Sequence, residues 1–357
     1  MRHNRWIRVL ALFLPLALLA AACGDDDDPA VTDSGSEETE GDGGSDLKVG
    51  IVFDVGGRGD QSFNDAAVAG LEQAVEEFGL EPAEELEPEG GGEDRGDLLR
   101  LLAENGTDLI VAVGFLFAES VGVTAPEFGD QTFAIVDETV DAPNVASLKF
   151  AEEQGSFLVG AAAALTSTTG KLGFIGGVET PLIVKFAAGF EAGVKHINPD
   201  ATVDIKYITQ PPDFTGFNDP AKGKEIATGQ FAAGADVIYA AAGGSGGGLF
   251  EAARETSTAE LKHWAIGVDS DQYTLVDESL KEFILTSMLK KVDVAVYQTI
   301  KAMIEGEEVG GKETIFDLGS DGVGYSTSGD HLSQEIIDQL EELKQQIIDG
   351  EITVPTE

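Results

Sequence analysis

From Leu47 onward the chain repeats one pattern: a short apolar run, a loop, then a longer stretch whose apolar residues recur at helical spacing. Val49–Phe53 is the first such run. Ala66–Phe78 is the first such helix, with Ala67, Leu71, Ala74, Val75 and Phe78 on one face and Gly79 stopping it. Further runs at Leu109–Val113, Thr132–Val136, Leu172–Ile175, Val203–Tyr207, Val237–Ala241, Trp264–Val268 and Ile284–Leu289 read as buried strands, with helical stretches between most of them. Strand, helix, strand repeated in this way predicts parallel sheets covered by helices on both faces, an α/β fold. A chain of 357 residues with about ten strands exceeds what one core usually serves, so two Rossmann-like lobes are expected. The division is placed near Phe150, where the alanine-rich helix Ala151–Leu165 begins, and Ile284–Leu289 is expected to return to the first lobe. Residues 47–149 plus 282–311 then form lobe 1, and 150–281 plus 312–357 form lobe 2. The acidic, glycine-rich stretch Glu81–Gly96 is expected to be a surface loop.

The first 46 residues differ in kind. Arg2, Arg5 and Arg8 accompany an apolar run, Ile7–Ala22, that is short for a membrane span, and Ala20-Ala21-Ala22 lead directly into Cys23. This resembles the lipobox of bacterial lipoproteins. The resemblance implies a signal peptide over residues 1–22, and acyl chains on Cys23 that anchor the protein to the extracytoplasmic face of the cell membrane. Residues 24–46 carry many like charges, no aromatic residue and no apolar periodicity. Such a segment cannot bury enough surface to offset its ordering entropy, so residues 23–46 are expected to be a lipidated cysteine and a disordered acidic tether.

Composition narrows the function. A formal charge of -43 with no basic stripe disfavours nucleic acid and other polyanions. Cys23 is the single cysteine, and no two of the four histidines stand at zinc-ligand spacing, so neither a disulfide nor a metal or other cofactor is expected.

The chemistry is expected in the loops that follow strands, because ligands of open parallel sheets sit at the carboxyl ends of strands. Phe63-Asn64 lies in the loop DVGGRGDQSFND, and Phe217-Asn218 in TGFNDPAKGK. Asn64 or Asp65, and Asn218-Asp219 before Pro220, are good helix starts. Neither cap requires the phenylalanine beside it, so two aromatic jaws gripping a flat polar ligand are expected. Gly243 and Gly244, in AAAGGSGGGLF, would let backbone approach a neutral ligand. The lysine and the spacing of a phosphate cradle are missing there. Asp137, Asp269 and the pair Lys290-Lys291 each close a predicted strand. Carboxylates and an ammonium converging on one cleft suit vicinal hydroxyls.

Together these segments resemble the basic membrane protein or PnrA-like lipoproteins, substrate-binding components of ABC importers for nucleosides. The resemblance runs from Leu47 to about Tyr297, through DVGGRGDQSFND, EEQGSFLVGAAAAL, GFIGG, FAAGFEAGV, FNDPAKGKEIA, GADVIYAAAGGSG, AIGVDSDQ and ILTSMLKKVD. It implies a type I periplasmic-binding-protein fold that closes on a purine nucleoside for delivery to an ABC permease. On that resemblance Phe63 and Phe217 would sandwich the base, and Asp54, Ser62, Asn64 and Asp137 would reach its polar edges. Asp269 and either Lys290 or Lys291 would hold the ribose hydroxyls. A sugar binder or a surface receptor of the same fold is the alternative. An enzyme would need a positioned nucleophile or metal, and neither the histidines nor the carboxylates supply one.

Overall fold

The computed structural model describes residues 45–357. The signal peptide, Cys23 and nearly all of the tether lie outside the described residues. Twelve strands occur among the described residues: β1 (Val49–Val52), β2 (Glu84–Leu86), β3 (Leu109–Ala112), β4 (Thr132–Val136), β5 (Val145–Phe150), β6 (Lys171–Val178), β7 (Thr202–Thr209), β8 (Val237–Ala241), β9 (Trp264–Asp269), β10 (Ile284–Lys290), β11 (Lys312–Phe316) and β12 (Val323–Tyr325). They form two six-stranded sheets, ordered β11-β5-β4-β3-β1-β2 and β12-β10-β9-β8-β6-β7. Every pairing is parallel except β10 with β12.

Most of the apolar runs became interior strands, covered on both faces; Val203–Tyr207 became the edge strand β7, with one face exposed. Ile51 and Val111 point into one core, while Val52 and Ile110 point into another on the opposite face of the same sheet. The largest core continues from the first sheet into the second through residues of the helices Glu152–Thr166 and Val292–Ile304.

Two assignments of the expected division are corrected. β10 pairs with β9 in the second sheet, and β11 pairs with β5 in the first, so Ile284–Leu289 does not return to lobe 1. What returns is the helix Val292–Ile304, which packs on the helix Phe63–Phe78. Both strands are apolar or mixed runs whose own pattern carries no sheet address. The acidic segment Glu81–Gly96 is also not wholly loop, since β2 adds to β1 as an edge strand.

The chain therefore passes between lobes three times, after Phe150, after Lys290 and between β11 and β12. The passages are bonded to one another: the Ala151 N–H donates to the Phe316 carbonyl at 3.0 Å and the Lys291 N–H to the Gly322 carbonyl at 2.9 Å.

The helices Glu152–Thr166 and Pro181–Ile197 touch backbone to backbone. A methyl group added at Gly193 would stand 2.0 Å from the Phe157 carbonyl oxygen, and one at Gly160 would stand 2.2 Å from that of Phe190. Neither neighbour is a flexible side chain, so Gly193→Val must push the helices apart. We expect it to lower stability by about 1–3 kcal/mol or more, read as a lower urea midpoint at unchanged m.

Candidate functional site

The carboxyl ends of the two sheets face one cavity. Asp54 and Asp137 reach it from the first sheet, and Ala241, Val268, Asp269 and Lys290 from the second. Eight of the ten expected ligand residues line it: Asp54, Phe63, Asn64, Asp137, Phe217, Gly243, Asp269 and Lys290.

The loop after β1 is organised by a residue that the sequence did not single out. The Asp60 carboxylate accepts the N–H groups of Ser62, Asn64 and Asp65 at 2.9, 2.9 and 3.1 Å, and the Asn64 side-chain amide at 3.0 Å. It satisfies donors that a helix start leaves orphaned, in place of the expected Asn64 or Asp65 cap. Asn64 is thereby free to accept the Asp54 N–H at 3.0 Å through Oδ1, and Phe63 is fixed as the first residue of its helix.

Ser62 does not line the cavity. Its hydroxyl donates to Asp269 Oδ2 at 2.6 Å, from one lobe to the other. The Ser270 hydroxyl donates to the Ser62 carbonyl at 3.1 Å, and the Gln272 amide donates to the Gln61 carbonyl at 2.9 Å. These contacts clasp the lobes beside the cavity. Lys291 is also not on the wall; it precedes the helix Val292–Ile304, half-buried, and only Lys290 turns inward.

Lys290 is 2% exposed and pairs with Asp137 Oδ2. Its ammonium also lies 4.6 Å from the centre of the Phe63 ring. Burial alone would depress its pKa, but Asp137, Asp269 and Glu152 outweigh that, so it stands above the ordinary 10.5. Burial pushes Asp54 up to about 7, against the Val55 N–H and the Arg95 guanidinium, which lower it. Burial likewise raises Asp269 to about 6, with Lys290 and the Ser62 hydroxyl opposing. Asp137 and Asp269 both end their strands with left-handed backbone, at φ of 71° and 64°. Such residues cost on the order of 1–3 kcal/mol each and cluster where side chains must be aimed. Asp137 Oδ1 is buried with no hydrogen-bond partner, an acceptor pointed at the site and left open.

Each lobe contributes an aromatic ring. Phe63 comes from the first and Phe217 from the second, both half-buried. Phe217 lies against β6 because Gly177 has no side chain there; an added methyl would stand 2.4 Å from its ring. Phe115 and Phe186 also line the cavity and were missed. Phe115 sits in the run Phe115-Leu116-Phe117, which reads as core, and only its place just beyond a strand end marked it. Among the described residues no group of three or more His, Cys, Asp or Glu side chains could hold a metal ion. The arrangement offers a narrow aromatic slot with hydrogen-bond acceptors and one ammonium at its edge.

Comparison with known proteins places this geometry. Residues 47–357 match the family described as Bmp, ABC transporter substrate-binding protein PnrA-like. A Lactococcus lactis protein named ABC transporter nucleoside-binding protein BmpA is 33% identical over 364 residues, covering 99% of each chain. An uncharacterized lipoprotein of Pyrococcus horikoshii is 35% identical over 290 residues, covering 79% of this chain and 69% of its own. The crystal structure of an ABC transporter solute-binding protein from Aeropyrum pernix superposes with a TM-score of 0.76 at 31% identity, over 87% of this chain and 94% of that one. The two parallel-rich sheets are thus those of the type I periplasmic-binding-protein fold. The chain belongs to the PnrA-like, or Bmp, family of ABC transporter substrate-binding proteins, which bind their solute and are not enzymes.

Proposed function

We propose that the protein captures a purine nucleoside between its lobes and presents it to an ABC permease. The observation that carries this reading is the pairing of Phe63 and Phe217, one from each lobe, on a single cavity edged by Asp54, Asn64, Asp137, Asp269 and Lys290. Aromatic faces suit a planar base, with stacking worth roughly 1–3 kcal/mol per base. Asp269 and Lys290 suit the ribose hydroxyls, and Asp54, Asn64 and Asp137 the polar edges of the base, with Ser62 acting through Asp269. The nucleoside-binding name of the Lactococcus lactis relative points the same way.

The cavity measures about 60 Å³, well under the roughly 300–1,000 Å³ of small-molecule pockets. A nucleoside is therefore admitted only when the lobes part, and closure around it creates the outline that a permease recognises. The alanine run before Cys23 supports anchoring through that cysteine on the extracytoplasmic side of the membrane, where an importer collects its solute.

Titration calorimetry with adenosine, guanosine, inosine and cytidine tests the assignment. Heat is expected from the purine nucleosides. Adenosine 5′-monophosphate is expected to give none, because Asp54, Asp60, Asp137 and Asp269 surround the single cavity lysine and repel a phosphate. Silence from all four nucleosides with folded protein would count against the reading.

The pH dependence has a definite sign. Hydroxyl donors prefer ionised Asp269, so binding releases its proton below pH about 6. Asp269 alone should raise affinity about tenfold from pH 5 to pH 7.5, and Asp54, raised to about 7 and accepting from the base, should add to that rise. Asp269→Asn should bind more weakly and lose its own share of that dependence.

A further inference from the structure

A second cleft opens on the far side of Asp54 and Val55, which wall both spaces. It measures about 450 Å³, and both lobes line it, with Glu87, the glycines 90–92 and Arg95 on one side and Pro212, Phe214 and Thr215 on the other. Phe115 stands edge-on between the two spaces. Its ring centre lies 6.5 Å from that of Phe217, on the cavity, and 6.1 Å from that of Phe214, on the cleft.

The cleft is built as well as roomy. Arg95 is nearly buried; its Nη1 donates to the Gly91 and Gly92 carbonyls at 3.3 and 3.1 Å, and its Nη2 lies 3.7 Å from Asp54 Oδ1. Its Nε is buried without a partner. Asp54, Glu87 and Asp213 oppose this one guanidinium, so the wall carries an excess of negative charge and disfavours an anion.

The inference rests on the nucleoside reading, in which the edge of the base meets Asp54. A carboxylate there needs a donor, and the donor that adenine offers on its base edge is the exocyclic amino group. A group attached to that nitrogen leaves one N–H for Asp54 and has the second cleft directly before it. We propose that the cleft extends the site and receives a neutral or cationic substituent carried on the exocyclic amine, so the ligand class includes purine nucleosides modified at that nitrogen.

Calorimetry on the whole protein tests this with adenosine, with adenosine bearing an aminohexyl arm on N6, and with the same arm ending in a carboxylate. The amine arm should bind within about threefold of adenosine, and the carboxylate arm about tenfold or more weakly than the amine, a gap that closes in high salt. Glu87→Lys, at an exposed residue outside the nucleoside cavity, takes the wall from an excess of negative charge to balance, so it should leave adenosine unchanged and close most of the gap between the two arms. If adenosine binds while both arms lose more than about hundredfold in affinity, the extension is closed and the proposal fails. It fails equally if both arms bind alike and Glu87→Lys changes neither, since they then project into solvent. Failure of adenosine alone overturns this inference and leaves the nucleoside reading standing, whereas silence from guanosine and inosine as well overturns both.

Discussion

Replacing Lys290 with methionine is expected to cost about 3–5 kcal/mol of folding stability at pH 8. Methionine keeps much of the volume that packs near Phe63, Phe150 and Phe186, so the loss is chiefly of charge. Asp137 and Asp269 would then be left buried without the ammonium they share, while Glu152 keeps its ion pair with Lys185 at 3.2 Å. Urea unfolding of the two proteins measures the difference. The penalty should shrink toward pH 5, because Asp269 at about 6 and Glu152 at about 7, both raised chiefly by burial, become neutral there. The signs agree: a carboxyl held above its ordinary pKa favours the folded state at low pH and loses that contribution as pH rises through the folded value. Asp137→Asn added to Lys290→Met should recover part of the loss. A penalty under about 1 kcal/mol at pH 8 would mean that solvent, not Lys290, neutralises these carboxylates.

Substituting alanine for both Phe63 and Phe217 is expected to weaken nucleoside binding by about 2–6 kcal/mol, twice the contribution of one stacked face. On the scale of dissociation constants this is about thirtyfold to twenty-thousandfold. Both rings are half-buried against the main core, so alanine will also lower the melting temperature. Leucine at both positions separates the effects. It restores most of the apolar contact and leaves out the flat π-face, so stability should recover while affinity stays low. Leucine variants that bind like the parent protein would show that the rings are packing, not recognition.

Much of the fold could be read before any coordinates. Every apolar run named from Leu47 onward lies on a strand; those in the sheet interiors are largely apolar because both faces are buried, while Val203–Tyr207 lies on an alternating edge strand. The strands that escaped include edges such as Glu84–Leu86 and Lys312–Phe316, whose residues are mostly exposed, and the buried interior strand Val145–Phe150, whose Ser147 and Lys149 break up its apolar run. Sheet membership also escaped, since β10 and β11 differ from their neighbours in destination rather than in pattern. At the cavity, glycine-flanked aromatic and acidic residues at strand ends were legible. Asp60 was not, because four hydrogen bonds to its own loop leave no mark in composition. The choice between Lys290 and Lys291 left no such mark, because β10 is buried on both faces up to Met288 and alternates only at its end. Buried Met288 and Lys290 share one face, whereas Leu289 is only half-buried.

The three passages between the lobes have a mechanical consequence. Struts bonded to one another, as Ala151 is to Phe316 and Lys291 to Gly322, resist torsion much more than bending. The halves of the molecule should therefore swing about a single axis, like a book with a sewn spine. Each swing would bring opposing pages back into the same alignment, without a search for the right mutual orientation.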